Sequence, residues 1–438
     1  MAAVMAHKGH TVVGVDINAA YVEAIQQGRP PVNEPGLGEM ILAHHERLSA
    51  TGNYEDAVLA TDATFIMVPT PSDPDGTFSM RFVLNAAERI GAALRKKKSW
   101  HLVVLSSTVM PGATGGKLIP VLETYSGKRC GEDFGVCYNP EFIALGSVIR
   151  DMLSPDMILI GESDHRSGDM LETLYQGVCE SKPRIQRMNY VNAELTKLSV
   201  NTFVTTKISY ANMLAEVCET LPGADVDVVT SAIGCDSRIG RKYLKGAMGY
   251  GGPCFPRDNI AFSALARARG VAPLLAEATD DVNRQQIARI AEIVFSRLPV
   301  GGTAAILGLS YKPDTEVVEE SQGVGVAKRL LARGARVVVY DPAAMENARP
   351  LLQGDVTFAK SPAECARQAD VIAITTPWPA FRTLSAQDLK AGAPRPVILD
   401  CWRVLQKESF TEKAEILTLG SGSAARMTNH AVAAAKAD

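Results

Sequence analysis

The sequence predicts an α/β protein with two Rossmann-like, doubly wound domains that are joined by a long central helix. Three observations lead to this prediction. Short apolar runs alternate with helical stretches in residues 11–106, and the same alternation returns from residue 303, which is the βαβα rhythm of a doubly wound sheet. Between these regions, residues 190–221 contain no proline or glycine. A chain of 438 residues is also long enough for two or three domains.

Composition excludes several classes of function. A hydrophobic content of 46% with 21% charged residues is typical of a globular protein in water, and a formal net charge of −3 gives no support for binding nucleic acid or a membrane surface. No apolar run approaches the ~18 residues of a membrane span, and no signal peptide is recognisable. The eight cysteines form no Cys-x-x-Cys pair. This argues against a metal site and a disulfide framework, and favours a reducing cytoplasm.

Residues 1–10 are predicted to be the last part of a helix and its glycine stop, and residues 11–16 a buried strand ending in Asp16. An acid at this place bonds the adenosine ribose in a dinucleotide-binding βαβ unit, although it can also simply cap the next helix. The first glycine of Gly-x-Gly-x-x-Gly is expected about 20 residues before that acid. That position precedes residue 1, so we expect a truncated or misassigned start that lacks the first strand and the Gly-rich loop.

Two further strands are predicted at residues 62–68 and 102–106. Thr70 follows the first of them, at the edge where ligands bind in such sheets, and is a candidate to bond the cofactor. Thr108 follows the second, where a plain strand-to-helix cap is the alternative. Glu141 comes later, in Asn-Pro-Glu-Phe, where a lone glutamate would more often be solvated.

The breaker-free stretch from Tyr190 is predicted to be one helix of roughly 48 Å, long enough to bridge two domains. Glu194, Lys197 and Asn201 lie on one face of it, at i, i+3 and i+7, although the first two could be only a surface ion pair. A helix of this length needs a surface to cover its apolar positions, which predicts a homodimer. These positions are Leu195, Leu198, Val204, Ile208, Met213 and Leu214.

Residues 246–259 read Gly-Ala-Met-Gly-Tyr-Gly-Gly-Pro-Cys-Phe-Pro-Arg-Asp-Asn. Glycines allow a ligand to approach the backbone and prolines stiffen it, so we expect Cys254 to be presented from a turn rather than from a helix or strand. Arg257 favours thiolate over thiol, and Asp258 supplies a carboxylate. An inert buried cysteine is the alternative. Six of the seven histidines lie outside residues 102–429, so general-base work near Cys254 falls to a carboxylate or lysine.

The remaining elements follow in order. Tyr243 and Lys245 precede the glycine turn, and an aromatic beside cations suits a nucleotide base and diphosphate, with a solvated basic patch as the alternative. Further strands are predicted from residue 303, at 335–341, at 370–376 and at 396–399. We expect four regions: residues 1–188 for the cofactor, 189–298 as a central helical region, 299–420 as a second α/β domain, and 421–438 as a flexible tail.

The run from Gly249 to Asp258 resembles the active-site signature of the UDP-glucose/GDP-mannose dehydrogenase family, and further motifs in the same order extend the resemblance over nearly the whole chain. The resemblance implies an enzyme that oxidises the C6 alcohol of a nucleotide sugar to a carboxylate, using two NAD⁺ and a thioester on Cys254. Phe255-Pro-Arg-Asp258 is most similar to the branch that acts on UDP-glucose, giving UDP-glucuronate.

The resemblance also implies that residues 299–420 bind the UDP-sugar, and it implies roles for single residues. Lys197 and Asn201 would stabilise an oxyanion and hold the substrate, while Glu141 and Asp258 would steer the hydrolytic water. Arg403 would reach the sugar site of the partner subunit. The catalytic candidates are thus Cys254, Lys197, Asn201, Asp258, Glu141 and Thr108; the cofactor candidates are Asp16, Thr70, Thr108 and Arg257; and the UDP-sugar candidates are Tyr243, Lys245, Gly251, Lys312 and Arg403.

Three positions depart from the family pattern. Leu145 stands where many relatives have an acid, Glu319 where many have an arginine, and Asp-Cys-Trp-Arg at 400–403 replaces Asp-Gly-Arg. A dehydrogenase of GDP-mannose or of a UDP-N-acetylhexosamine is therefore an alternative. A non-catalytic nucleotide-sugar-binding protein is another, because the Gly-rich loop is not in the sequence, but the presence of Cys254 and Lys197 argues against it.

Overall fold

The computed structural model describes residues 1–392, 395–410 and 412–422. The chain divides into two compact units, Met1–Ser199 and Val200–Asp438, and the division falls inside the longest helix. Most of the expected tail at 421–438 lies outside the described residues. Among the described residues, no helix combines the length and the apolar character needed to cross a membrane.

The first unit contains two sheets. One has two parallel strands, β1 with β2, and the other has five in the order β3-β4-β5-β6-β7, parallel except for the short antiparallel pairing of β5 with β6. The strands are β1 Val12–Val15, β2 Leu48–Thr51, β3 Ala63–Ile66, β4 His101–Leu105, β5 Phe134–Tyr138, β6 Met157–Glu162 and β7 Arg184–Met188.

Helices of the first unit connect and cover these strands. Asparagine or aspartate side chains cap several of them at the N-terminus, as Asn53 does by accepting the N–H of Glu55 at 2.9 Å. The helices are α1 Ala2–His7, α2 Ala19–Gln26, α3 Leu37–Ala43, α4 Tyr54–Ala60, α5 Arg81–Lys96, α6 Ile119–Ser126, α7 Val148–Leu153 and α8 His165–Val178, with a 3₁₀ turn at His45–Arg47 and a π-helical turn at Thr114–Leu118.

The core of the first unit lies between α5 and the five-stranded sheet. All five residues of β4 are buried, as expected for a parallel strand covered on both faces. The helix buries Val83, Ala87, Ile90 and Leu94, whose spacing of three or four residues forms one apolar face. This packing fixes the carboxyl ends of β3 and β4, where Thr70 and Thr108 follow.

The longest helix is α9, Tyr190–Thr220, with 31 residues. Beyond it, the second unit contains further helices around one sheet. They are α10 Val226–Ile233, α11 Phe255–Ala268, α12 Leu274–Ser296, α13 Gln322–Ala332, α14 Met345–Ala348 and α15 Pro362–Arg367, with 3₁₀ turns at Arg349–Leu351, Pro379–Thr383, Ala386–Asp388 and Lys407–Phe410.

The sheet of the second unit has six parallel strands in the order β10-β9-β8-β11-β12-β13. Numbered from its first strand, this is the order 3-2-1-4-5-6 of a Rossmann sheet, which binds its ligands where the order reverses, beside the carboxyl end of β8. The strands are β8 Thr303–Leu307, β9 Arg336–Tyr340, β10 Val356–Phe358, β11 Val371–Ile374, β12 Val397–Asp400 and β13 Glu415–Thr418.

The predicted α/β class, with parallel sheets and a long helix, is confirmed. The predicted helix tail at the start of the chain is α1, and Gly9 follows it at φ 97°. Cys254 lies in a bend outside any helix or strand, as expected. It is also the N-cap residue of α11, a helix whose start the sequence did not predict. Pro256 occupies the first helical turn, where its missing N–H and fixed φ are tolerated.

Candidate functional site

Asp16 directly follows β1 and is exposed. Its Oδ1 accepts the N–H of Asn18 at 2.7 Å, and the side chain of Asn18, not that of Asp16, caps α2 by accepting the N–H of Ala20. The Asp16 carboxylate therefore does not have the capping role. An exposed carboxylate at the carboxyl end of a parallel strand fits the ribose hydroxyls of a dinucleotide.

Thr70 and Thr108, the candidates that follow β3 and β4, are in direct contact. The buried hydroxyl of Thr70 donates to the carbonyl of Thr108 at 2.8 Å. Between them, the hydroxyl of Ser107 accepts the N–H of Val68 at 2.9 Å and donates to its carbonyl at 2.7 Å. These bonds join the two loops. Because the Thr70 hydroxyl already donates its proton to Thr108, it could only accept a hydrogen bond from a cofactor.

Glu194 is fully buried and is not part of a surface ion pair. Its two carboxylate oxygens accept the N–H groups of Gly112, at 2.5 Å, and Thr114, at 2.8 Å. Burial raises the pKa of the Glu194 carboxyl, and the bonds from Thr114 and Gly112 oppose that rise. Glu194 therefore anchors the loop that carries Thr108, a role that its helical spacing did not indicate.

Lys197 lies beside Glu141. Lys197 is 8% exposed, and its Nζ donates to the backbone carbonyl of Glu141 at 2.6 Å and lies 4.5 Å from the ring centroid of Phe142. Burial raises the pKa of the Glu141 carboxyl, and the charge of Lys197 partly opposes that rise. A carboxyl with a raised pKa is suited to general-base catalysis near neutral pH.

Glu34 holds the loop that follows Glu141. Its carboxylate oxygens accept the N–H groups of Gly146 and Val148, each at 2.8 Å. Leu145, which stands where many relatives have an acid, is exposed beside this clamp. No pattern in the sequence indicated this role for Glu34, because its two partners lie more than a hundred residues away along the chain.

In the second unit, the exposed Cys254 immediately precedes α11. The carbonyl of Cys254 accepts the N–H of Asp258 at 2.8 Å, which closes the first helical turn. The carboxylate of Asp258 is 2% exposed, and its Oδ2 accepts from the Nδ2 of Asn201 at 2.5 Å. The structure thus brings Asn201 and Asp258 together. A helix N-terminus also favours negative charge on a cysteine at this position.

The glycine turn before Cys254 is packed tightly against residues 311–320. Gly252 has φ 83°, and its N–H donates to the carbonyl of Glu319 at 3.0 Å. A Cβ at Gly251 would lie 2.3 Å from the carbonyl oxygen of Glu320, and one at Gly252 would lie 2.5 Å from the ring of Tyr311. Only glycine fits at these two positions, for steric reasons inside the chain.

Tyr311 is a neighbour of Cys254 that the sequence did not single out. Burial raises the pKa of Tyr311 to about 12, and the charge of Cys254 contributes to the rise. The Nζ of Lys312 lies 5.8 Å from the centroid of the Tyr311 ring. The resemblance singled out the neighbouring Lys312 as a UDP-sugar candidate. The contact of Tyr311 with a turn some sixty residues earlier has no local signal in the sequence.

Of the remaining candidates, Tyr243, Lys245 and Arg257 lie near the same turn along the chain, whereas Arg403 is bonded to other residues. The exposed Tyr243 has φ 66°, and its ring packs edge-on against Phe255 at 6.1 Å between centroids. Lys245 is exposed, and Arg257 lies half-buried in the first turn of α11. Within this chain, Arg403 binds other groups: Asp225 at 2.8 and 2.9 Å, Asp227 at 3.1 Å, and the carbonyl of Leu419 at 3.1 Å.

Asp341, the acid that ends β9, is 1% exposed. Its Oδ1 accepts the N–H groups of Ala343 and Ala344 at 2.9 and 2.8 Å. Its Oδ2 accepts from the N–H and hydroxyl of Ser310, the N–H of Leu309 and the indole of Trp378, at 2.7–3.1 Å. All of these donors are backbone or side-chain groups of the second unit itself, so the carboxylate of Asp341 stabilises the fold. Across the described ranges, no cluster of three or more His, Cys, Asp or Glu residues could hold a metal ion.

Comparisons with known proteins cover most of the chain. Residues 1–179 match the NAD-binding domain of the UDP-glucose/GDP-mannose dehydrogenase family, residues 191–285 its central domain, and residues 305–407 its UDP-binding domain. The UDP-glucose 6-dehydrogenase AglM of Haloferax volcanii is 39% identical over 88% of this chain and 90% of that protein. The GDP-mannose 6-dehydrogenase of Azotobacter vinelandii is 33% identical, over 88% and 90%.

A solved structure gives the same result. The UDP-glucose dehydrogenase of the hyperthermophilic archaeon Pyrobaculum islandicum is 38% identical and superposes with a TM-score of 0.85, covering 96% of this chain and 94% of that one.

Proposed function

This chain belongs to the UDP-glucose/GDP-mannose dehydrogenase family, and we propose that it oxidises UDP-glucose to UDP-glucuronate through a thioester on Cys254. The chain has the NAD-binding domain of that family and is a nucleotide-sugar 6-dehydrogenase. The observation that carries the thioester is the exposed thiol of Cys254 at the N-terminus of α11, one helical turn from the buried Asn201–Asp258 pair. The choice of UDP-glucose rests on the UDP-glucose 6-dehydrogenases among the relatives.

The cofactor supplies one function, since each of two NAD⁺ accepts a hydride from C6 of the sugar. The residues of the chain do the rest. The sulfur of Cys254 forms a bond to the C6 aldehyde carbon, whose oxygen becomes an oxyanion. Asn201 and Lys197 supply the positive end of N–H dipoles to that oxygen. Loss of the second hydride leaves the thioester on Cys254.

Hydrolysis completes the reaction. Glu141 takes a proton from water, which attacks the thioester carbonyl, and the C–S bond breaks to return the thiolate. One alcohol, two NAD⁺ and one water give one carboxylate, two NADH and three protons. Because burial raises the pKa of the Glu141 carboxyl, we expect the hydrolytic step to accelerate with pH as that carboxyl loses its proton.

The other candidate residues have binding roles in this proposal. Asp16, Thr70, Thr108 and Arg257 contact the cofactor, while Tyr243, Lys245, Gly251 and Lys312 contact the UDP-sugar. Arg403 has its role at the sugar site of a partner subunit and would have to leave Asp225 and Asp227 to fill it. We assign residues 1–188 to the cofactor, 189–298 to the central region and 299–420 to the nucleotide sugar, in a protein that works in the reducing cytoplasm.

We propose a homodimer through α9. In the second unit this helix exposes Phe203, Tyr210, Met213 and Val217, which recur at intervals of three, four or seven residues along one stripe. Of the positions expected from the sequence, Leu195 and Met213 are exposed, but Leu198 is buried within the first unit and needs no partner. Light scattering should give twice the 46.8 kDa chain mass; a stable monomer at micromolar concentration would contradict the dimer.

Two variants test the thioester. Cys254→Ala should abolish formation of the uronate, whereas Glu141→Gln should slow hydrolysis more than oxidation and accumulate an adduct on Cys254 that is visible by mass spectrometry. Cys235→Ala is the matched control, because Cys235 is also an exposed thiol. Full turnover to the acid by the Cys254 variant would refute the covalent mechanism. Assays with UDP-glucose, GDP-mannose and UDP-N-acetylhexosamines decide the substrate.

A further inference from the structure

We infer that Asn283 is a positioning residue for the Cys254 turn and that both ends of its side-chain amide are needed. The inference deepens the proposed function, on which only its kinetic readout rests. Asn283 lies on α12, is 9% exposed, and acts on the backbone of Tyr250, four residues before the cysteine.

The side chain of Asn283 forms a pair of hydrogen bonds with the backbone of Tyr250. The Oδ1 of Asn283 accepts the N–H of Tyr250 at 2.7 Å, and its Nδ2 donates to the carbonyl of the same residue at 3.0 Å. One side chain therefore satisfies both backbone groups of one buried residue, as a neighbouring strand would. Left unpaired, such buried groups would destabilise this conformation of the turn.

The Asn283 amide packs closely against Gly249 and lies near a second amide, that of Gln322. A Cβ at Gly249 would lie 2.2 Å from the Oδ1 of Asn283 and 2.6 Å from the Oε1 of Gln322. Glycine at 249 thus lets the amide lie directly against the backbone. The Nε2 of Gln322 donates to the Tyr250 carbonyl at 3.0 Å, so that carbonyl accepts two bonds. These contacts hold Tyr250 in one orientation.

Tyr250 is joined to the thiol-bearing Cys254 by a short segment. Only Gly251, Gly252 and Pro253 separate the two residues, and glycines impose little direction of their own on a chain. The direction of the turn must therefore come from contacts with the rest of the chain, namely that of Gly252 with the carbonyl of Glu319 and those of Tyr250 at its start. The hydroxyl of Tyr250 bonds the carboxylate of Asp280, one helical turn before Asn283. Helix α12 thus holds both the ring and the backbone of Tyr250, and the place of Cys254 depends on that hold.

The main test is Asn283→Asp, which keeps the shape and the acceptor but loses the donor and sets a carboxylate against a carbonyl. In a Cys235→Ser background we expect iodoacetamide to alkylate Cys254 about tenfold more slowly at pH 7, because the thiol moves from the helix N-terminus. With nucleotide sugar and NAD⁺, kcat should fall by about 100-fold while KM changes little, since a misplacement of about 1 Å is enough for such a loss.

Asn347→Asp is the matched control, because the Nδ2 of Asn347 also donates to a backbone carbonyl, that of Glu316. It should leave both readouts at the values of the parent protein. If Asn283→Asp does not fold, Gln322→Met serves instead: it removes a donor to the same carbonyl and should change both readouts in the same direction by a smaller factor. Alkylation and kcat at parent values in a folded Asn283→Asp protein would overturn the inference.

The alkylation assay also separates this inference from the proposed function. If the parent protein oxidises no nucleotide sugar but Asn283→Asp still slows alkylation of Cys254, the positioning role stands and the proposed activity is wrong.

Discussion

Two strands of this protein, β1 and β9, are directly followed by an aspartate, and the two carboxylates are used in opposite ways. Asp16, after β1, is exposed and accepts one N–H, from Asn18. Asp341, after β9, is enclosed and accepts from backbone groups, a hydroxyl and an indole of its own unit. A strand-ending acid in the sequence therefore predicts where a carboxylate lies but not what it binds.

The difference arises from what packs over the end of the strand. Residues Leu309 and Ser310, which follow β8, and Trp378, which follows β11, point their donors at Asp341. Turning that carboxylate toward a ligand would leave several buried N–H groups unpaired, which costs more than one ligand bond returns. Asp16 has no such commitment, so its carboxylate can bind a ribose at little structural cost.

The largest effect should come from Asp341→Ala. Six hydrogen bonds end on this carboxylate, and each buried donor left unpaired costs about 1–3 kcal/mol. We expect loss of the cooperative unfolding transition of the second unit in calorimetry. The matched variant Asp16→Ala should change the free energy of unfolding by less than about 0.5 kcal/mol. Equal destabilisation by the two variants would break the comparison.

A smaller effect is expected on cofactor affinity. Asp16→Ala should weaken NAD⁺ binding by about tenfold or more, because a hydrogen bond to a charged group is worth about 1.5–3 kcal/mol. Titration calorimetry measures this change directly. Asp75→Ala, which removes an exposed carboxylate from a turn of the same unit, is the control. NAD⁺ affinity that is unchanged in Asp16→Ala would remove the functional half of the comparison.

The smallest effect concerns an enclosed base. His101 is fully buried, and burial lowers its pKa to about 4. The unfolded chain takes up a proton below pH ~6.5 whereas the folded protein does not, so stability falls as pH falls from about 6.5 toward 4. At pH 5.5 the loss is about 1.4 kcal/mol. His101→Gln, which keeps a polar group near the Thr64 hydroxyl, should flatten this dependence.

Hydrogen exchange of β3 and β4 between pH 5 and 8 reports on the first unit without requiring the whole chain to unfold in one step. The same slope in the parent protein and in His101→Gln would show that another group causes the acid sensitivity. Such a result would also show that enclosure of a titratable side chain has little consequence in the first unit, in contrast to Asp341.

The sequence predicted those parts of the molecule that have a local signal. Several strands, the helix from Tyr190 and the positions of Lys197, Asn201 and Cys254 follow from periodicity or from a short motif, whereas strands such as β2, β6 and β7 were not predicted. Pro256 made a helix at this place unexpected, because proline breaks the interior of a helix. Proline is nevertheless compatible with the first helical turn. The start of α11 at Phe255 was missed for this reason.

The anchoring residues could not be predicted in the same way. Glu194 bonds Gly112, Glu34 bonds Gly146, and Asn283 bonds Tyr250. In each case a polar side chain is used by a backbone group far along the chain, so its meaning depends on the tertiary fold. A sequence shows such a residue only as an ordinary polar position on a helix or loop.

The strand order of the second unit also sets when that unit can form during synthesis. Its central strand β8, Thr303–Leu307, pairs with β11, Val371–Ile374, and the last edge strand ends at Thr418. At roughly 5–20 residues per second, the ribosome needs several seconds to deliver β11 after β8. During that interval the edge of the apolar strand β8 that pairs with β11 has no partner strand. Chaperone binding to the nascent chain is therefore expected to be strongest while residues between these two strands are being added.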